Sequence, residues 1–258
     1  MHPIAFEYGP LSIHWYGVMV ALGFMAGLWT AGRRSLHSGI AAEKIIDLGP
    51  WLIIGAIIGA RTLYVISYWH EAFEGEPIAE IFKVWKGGLV FYGGLIGSSL
   101  ACILYVRLKK LPLWKVADIV APSIALGYVF GRIGCLLNGC CYGRACNLPW
   151  AIRFPAGNGL DLPTYPVHPT QVYESLLNLG LYAGLAWLFR RKKFDGQVFG
   201  VYLVGYAVLR SFVEMFRGDY PEYYLGGWVT PAQLVSIAIL AAGVILLWLL
   251  PRPETTRG

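Results

Sequence analysis

The strongest constraint on this chain is the recurrence of apolar runs long enough to cross a bilayer. A hydrocarbon core roughly 30 Å thick takes about 20 residues of helix. Seven such runs lie near 14–32, 48–68, 88–106, 116–137, 170–189, 197–216 and 230–250. The last, from Thr230 to Leu250, has the least interrupted apolar character. Runs three and four are rich in glycine, which lets membrane helices approach closely. Only 14% of the 258 residues are charged and the mean hydropathy is +0.55, which excludes a water-soluble enzyme with a polar shell. The five cysteines are too few for a small disulfide scaffold. The expected fold is an all-α polytopic membrane protein of seven transmembrane helices, one membrane-embedded domain spanning 1–258.

The basic residues assign the sides. Arg33, Arg34 and Lys44 follow run one, Arg107, Lys109, Lys110 and Lys115 follow run three, and Arg190, Arg191, Lys192 and Lys193 follow run five. Arg252 and Arg257 follow run seven. The opposite side holds only Lys83, Lys86, Arg144, Arg153 and Arg217. Cytoplasmic loops collect Lys and Arg, so the N-terminus is expected outside and the C-terminus inside. The net charge of +6 is then mostly a topology signal and a contact for anionic lipid. No nucleic-acid partner is expected, because no basic stretch is interleaved with aromatics. A cleavable leader is not expected either. The opening MHPIAFEYGP lacks a basic region, and run one ends in bulky basic residues. The aromatic segments WHEAF, YPEYYLGGW and IHWYG on the outer side suit an interfacial belt. The longest soluble stretch, 138–169, is also outside. Its Gly, Pro and Asn content predicts turns and short strands, a small extracytoplasmic head inserted between helices four and five.

Arg61, Arg132, Arg210 and Glu214 fall within the runs. A charge at the bilayer centre costs at least about 2.5–3.5 kcal/mol, so each needs a partner, a cavity or a phosphate. Glu214 stands four residues after Arg210 and shares its helix face. A buried pair that fixes packing accounts for those two residues as well as a site does. Arg132 and Arg210 sit toward the outer ends of two outward-running helices. Guanidinium groups grip phosphate with a planar fork of donors, so the pair predicts a site for a phospholipid headgroup in the outer leaflet. Arg61 either snorkels or joins that site.

The most specific stretch is Gly131-Arg132-Ile133-Gly134-Cys135-Leu136-Leu137-Asn138-Gly139-Cys140-Cys141-Tyr142-Gly143. It resembles the signature G-R-x-G-N-x-x-N-G-E-x-x-G of the prolipoprotein diacylglyceryl transferase family. Further likenesses follow in order along the chain. His14-Trp15-Tyr16-Gly17 resembles H-W-Y-G, and Gly87 to Gly97 resembles G-G-[LM]-x-F-H-G-G-x-x-G. His168-Pro169-Thr170-Gln171-Val172-Tyr173-Glu174 resembles H-P-[ST]-Q-x-Y-E. Arg210 to Arg217 resembles F-R-x-x-x-E-x-x-R, and Gln233 to Ser236 resembles G-Q-x-x-S.

The resemblance implies seven helices and an active site toward the outer leaflet of the bacterial cytoplasmic (inner) membrane. It implies that the diacylglyceryl group of phosphatidylglycerol moves to the thiol of a prolipoprotein lipobox cysteine, with glycerol 1-phosphate released. It implies neither a metal nor a nucleotide cofactor. Arg132 and Arg210 are the candidates to bind the phosphate and stabilise its growing charge. Tyr16 and Asn138 are candidates to hydrogen-bond the headgroup or glycerol, and Glu214 to orient an arginine. Gly143, His14, Arg61 and His168 complete the candidate substrate-binding set.

Three positions depart from the family pattern. Tyr92 stands where the pattern has His, Cys140 where it has Glu, and Cys135 where it has Asn. The acceptor of the thiol proton therefore does not carry over. An ordinary Tyr titrates near pH 10, so Tyr92 suits hydrogen-bond donation to the phosphate better than a base; water, the phosphate, His14 and His168 stay open as acceptors. The cysteines run Cys135-x4-Cys140-Cys141-x4-Cys146, with Cys102 alone in run three. This is not a common zinc spacing. A disulfide and free packing thiols both fit an outer-face cluster. An anion or lipid transporter is the competing class, although no paired repeat is visible; another phospholipid-dependent membrane transferase and a scaffold also fit the intramembrane charges.

Overall fold

A computed structural model describes residues 3–8, 11–154, 163–217 and 230–250. Arg252 and Arg257, the aromatic stretch 220–228 and positions 155–162 of the head insertion lie outside the described residues. The described chain is mostly helical, and all seven apolar runs emerge as helices of 18 or more residues: α1 (Trp15–Leu36), α3 (Leu48–Ser67), α5 (Phe91–Leu108), α6 (Leu113–Asn138), α7 (Thr170–Phe189), α8 (Gln197–Glu214) and α9 (Pro231–Leu249). Short helices α2 (Ala42–Ile46) and α4 (Trp69–Ala72) flank α3. Five segments, Trp15–Leu36, Ala42–Ser67, Phe91–Leu108, Leu113–Asn138 and Pro231–Leu249, are long and apolar enough to cross a membrane. The chain is thus a polytopic membrane protein. Helices α7 and α8 are less apolar because α7 carries the buried polar residues Gln171, Glu174 and Asn178, and α8 carries Arg210 and the buried Glu214.

The chain is not wholly helical. An antiparallel hairpin of β1 (Ile4–Tyr8) and β2 (Leu11–His14) precedes α1. His14, expected to open the first span, instead ends β2 opposite Ile4. The hairpin also supports the helix start, since Trp15 N donates to Pro3 O at 2.9 Å.

Two compact units divide the chain, Met1–Ala31 with Ala117–Gly258, and Gly32–Val116. In the first, α8 packs against both α7 and α9. A polar contact joins α1 to α6: Ser123 Oγ lies 3.0 Å from Thr30 Oγ1 and donates to Gly27 O at 2.7 Å. Asp118 on α6, fully buried, reaches the start of α8. Its carboxylate accepts from Gly196 N at 2.9 Å, Phe199 N at 3.0 Å and Lys192 Nζ at 2.8 Å. These amides belong to the helix end whose donors have no intrahelical partner, so Asp118 caps α8 from another helix. Burial opposes the Lys192 charge, but Asp118 and Asp195 outweigh it and hold the ammonium above its ordinary pKa.

In the second unit, α3 and α5 meet along glycines four residues apart on each helix, Gly55 and Gly59 against Gly93 and Gly97. A Cβ at Gly59 would stand 2.8 Å from Gly97 Cα and closer still to Gly93 O. Both obstacles are backbone, so relief requires the helices to part. Lipid gives no hydrophobic push between helices, and close backbone packing replaces it. We expect Gly59→Leu to destabilise the protein by the upper end of the overpacking range, about 3 kcal/mol. Thermal unfolding in detergent measures this. Gly94→Ala on the same helix is the control: its Cβ meets Ala56 O at 3.4 Å and Ala60 Cβ at 3.6 Å, ordinary contact. An equal loss for Gly94→Ala would contradict the close-packing account.

Candidate functional site

Arg132 near the end of α6 and Arg210 near the end of α8 meet at one carboxylate, Glu174 in the second turn of α7. Arg132 Nε pairs with Glu174 Oε2, and Arg210 Nη1 lies 3.4 Å from Glu174 Oε1. Tyr128, one turn before Arg132, accepts from Arg132 Nη2 at 2.6 Å and donates to Glu174 Oε2 at 2.7 Å. Arg210 Nη1 also pairs with Glu214 Oε2 at 2.6 Å, one turn further along α8. Glu174 and Glu214 are 3% and 4% exposed, so these charges persist only because they neutralise one another. Tyr206 closes the group, its ring edge-on to Tyr128 with centroids 5.7 Å apart. A tight crevice lies beside the network, with Tyr128, Glu174, Tyr206 and Arg210 among its lining residues. It is packed too tightly to hold even a water molecule, so it is not a preformed ligand pocket.

Glu174, Tyr128 and Tyr206 were not among the expected site residues. The rule that singles out the arginines, that an intramembrane charge needs a partner, applies equally to Glu174 within run five.

The turn after α6 forms a second feature. Asn138 closes the helix and its side chain hydrogen-bonds the Cys140 thiol. Cys140 N donates to Cys135 O at 3.1 Å, and Cys141 sits at φ +63°, a left-handed conformation rare outside glycine. The first turn of α7 pins both carbonyls: Gln171 Nε2 donates to Cys140 O and Thr170 Oγ1 to Cys141 O, each at 2.7 Å. All five cysteines are free thiols, and the Sγ atoms of Cys135, Cys140 and Cys141 lie within 4.8 Å of one another. Hydrogen bonds from Cys135 and Cys140 hold the Cys141 thiol well below its ordinary pKa, aided by the charges of Arg132 and Arg217 and opposed by burial. Tyr16 lies beside this turn. A Cβ on Gly134 would stand 3.2 Å from its ring, and the sulfurs and Arg132 act on it electrostatically.

The remaining candidates have their own surroundings. Gly143 is closely packed: its amide donates to His168 O at 2.9 Å, and a Cβ there would stand 2.5 Å from Phe216 O. His168 joins an aromatic group, its ring centroid 5.3 Å from Phe216 and its Nδ1 3.3 Å from the Tyr173 hydroxyl. His14 is exposed in the hairpin. Tyr92 belongs to the second unit, 54% exposed in the first turn of α5. Arg61, in the same unit, is spent on backbone carbonyls. It donates to Ile81 O and Glu80 O at 2.7 Å, Gly87 O at 2.8 Å and Gly88 O at 3.2 Å. These bonds tie residues 80–88 to α3, and they give Arg61 a scaffold task.

Comparison with known proteins covers almost the full length of the chain. A family model described as prolipoprotein diacylglyceryl transferase matches residues 3–249. The chain is 38% identical over 255 residues to a phosphatidylglycerol–prolipoprotein diacylglyceryl transferase of Nitratidesulfovibrio vulgaris, covering 97% of this chain and 93% of the relative. Relatives of the same name from Vibrio parahaemolyticus and Synechococcus elongatus are each 38% identical, covering 95% and 96% of this chain and 89% and 87% of their own. Such coverage includes every helix that carries the arginine network, and the chain belongs to the prolipoprotein diacylglyceryl transferase family.

Proposed function

We propose that this protein transfers the diacylglyceryl group of phosphatidylglycerol to the lipobox cysteine thiol of a prolipoprotein, forming a thioether and releasing glycerol 1-phosphate. The observation that carries the site assignment is the convergence of Arg132 and Arg210 on Glu174. Chemically the reaction is a displacement at carbon with a phosphate leaving group. Charge grows on the leaving oxygen, and fixed donors aimed at it lower the barrier. Glu174 and Tyr128 engage Arg132 through Nε and Nη2, which turns Nη1 toward a phosphate. Glu214 sets Arg210 in the same way. Tyr16, beside Gly134, and Asn138, at the end of α6, are the candidate partners for the glycerol and headgroup.

The seven long helices and the distribution of basic residues support a bacterial cytoplasmic-membrane protein with seven spans, N-terminus outside and C-terminus inside. In that topology the Arg132 and Arg210 ends of α6 and α8 face the outer leaflet, and 138–169 forms an extracytoplasmic head.

The test is transfer from labelled phosphatidylglycerol to a lipobox peptide by purified protein in vesicles. Release of glycerol phosphate with label on the peptide cysteine is expected. Label movement between leaflets without peptide labelling would replace this function with lipid transport. Tyr92→Phe separates two roles within the reaction. A fall of about tenfold, one hydrogen bond to a charged group, is expected if the hydroxyl donates to the phosphate; an unchanged rate removes Tyr92 from the chemistry.

A further inference from the structure

Three sulfurs converge where the family pattern has none of its own. We propose that Cys135, Cys140 and Cys141 bind one thiophilic divalent ion of the zinc type, whose fourth position takes the lipobox thiol as a thiolate. This rests on the transferase function proposed above and supplies its missing step, the activation of the thiol.

The geometry carries the proposal. The three Sγ atoms lie within 4.8 Å of one another. Sulfurs held about 2.3 Å from a tetrahedral zinc stand about 3.8 Å apart, so the cluster needs to close by only about 1 Å. The framework around it is fixed. Cys135 belongs to the last turn of α6, while Cys140 and Cys141 hang from carbonyls that Gln171 and Thr170 pin, both residues 1% exposed. The left-handed backbone at Cys141 persists only where surroundings impose it, and such strain gathers at functional positions.

Ligand type and number point the same way. Thiolates select soft ions, and three protein ligands with one open position are the mark of a catalytic zinc site. The C-x4-C-C spacing hides this from the sequence, because the usual sign is a CxxC pair. An ion with three thiolates carries one negative charge, so the fourth ligand completes a tetrahedral, sulfur-rich site.

The chemistry also closes. Tyr92 and Cys140 stand where the family pattern offers His and Glu, and the change at Cys140 is one of those that build the cluster. A thiol bound to such an ion gives up its proton, here to water. The metal-held sulfur then forms its bond to the diacylglyceryl carbon as the carbon–oxygen bond to phosphate breaks. The electron pair leaves on the phosphate oxygen with glycerol 1-phosphate. The neutral thioether is a weak ligand and departs.

The test uses the full-length protein in detergent, prepared with thiols reduced. Addition of Zn(II) is expected to load one ion per chain. Co(II) in its place should give thiolate charge-transfer absorption and tetrahedral d–d bands. Cys140→Ser and Cys141→Ser should each weaken binding by at least about tenfold, as loss of a ligand exceeds the second-shell effect; Cys102→Ser should not change it. Adding a lipobox peptide should shift the Co(II) spectrum, and the same peptide with serine for its cysteine should not. Absence of stoichiometric loading, loading that survives both cysteine variants, or a Cys140–Cys135 or Cys141–Cys135 disulfide in active protein would each overturn the proposal. Full transfer activity in metal-free protein would overturn it while leaving the transferase function standing. Loading with the peptide-dependent spectrum but no transfer would instead remove that function and confine the proposal to a thiol-binding metal site.

Discussion

Arg132→Ala is expected to reduce diacylglyceryl transfer by about 10²–10³-fold, the usual cost of removing one preorganised donor from a developing oxyanion. Glu174 keeps Arg210 and the Tyr128 hydroxyl as partners, but Arg210 then faces two buried carboxylates, so a lower unfolding temperature is expected as well and rates are compared per folded protein. The loss should appear in kcat as well as in kcat/KM, because the interaction strengthens as charge reaches the leaving oxygen. Arg132→Lys should recover only part of the rate. It restores the charge but not the fork that engages Glu174, Tyr128 and phosphate along separate edges. Initial rates of peptide labelling across a range of phosphatidylglycerol mole fractions measure all three. A wild-type rate for Arg132→Ala would remove the arginine pair from the reaction.

Glu174→Ala should act on stability first. It strips Arg132 of its acidic partner among the described residues, whereas Arg210 retains Glu214 at 2.6 Å. Breaking a buried pair by removing one member costs about 3–5 kcal/mol, so a large drop in unfolding temperature is expected, together with loss of transfer. Combining Glu174→Ala with Arg132→Met should restore much of the stability, because the stranded charge is gone. The double variant should still fail to transfer. This non-additivity is the signature of two residues in contact. Additive losses in the double variant would mean that Glu174 stabilises the protein by some route other than Arg132.

The positions of the seven long helices were readable because each is a predominantly apolar run of bilayer length, and helix length in lipid is a local property. The hairpin was not, since strands of five and four residues are too short to show a period and their pairing depends on chain reversal. Arg210 and Glu214 were readable as a pair from i,i+4 spacing alone. Their link to Arg132 was not, because it passes through Glu174 on a third helix. Arg61 shows the limit most plainly. Its partners are loop carbonyls at Glu80, Ile81, Gly87 and Gly88, which carry no side-chain signature. The cysteine spacing likewise announces four sulfurs on a turn without saying which three meet.

The cap that Asp118 places on α8 belongs to a set of three ties between α6 and α8 that share one spacing. Asp118 meets Gly196, Tyr128 meets Tyr206, and Arg132 shares a carboxylate with Arg210. In every case the partner stands 78 residues further on. A constant offset means that the two helices run side by side in the same direction, like uprights with rungs. About 14 residues of helix, or 21 Å, separate the first rung from the last. One residue inserted into either upright would lift its arginine by about 1.5 Å and swing it by about 100°. The intervening loops can therefore lengthen or shorten freely, while 118–132 and 196–210 must stay equal in length to each other.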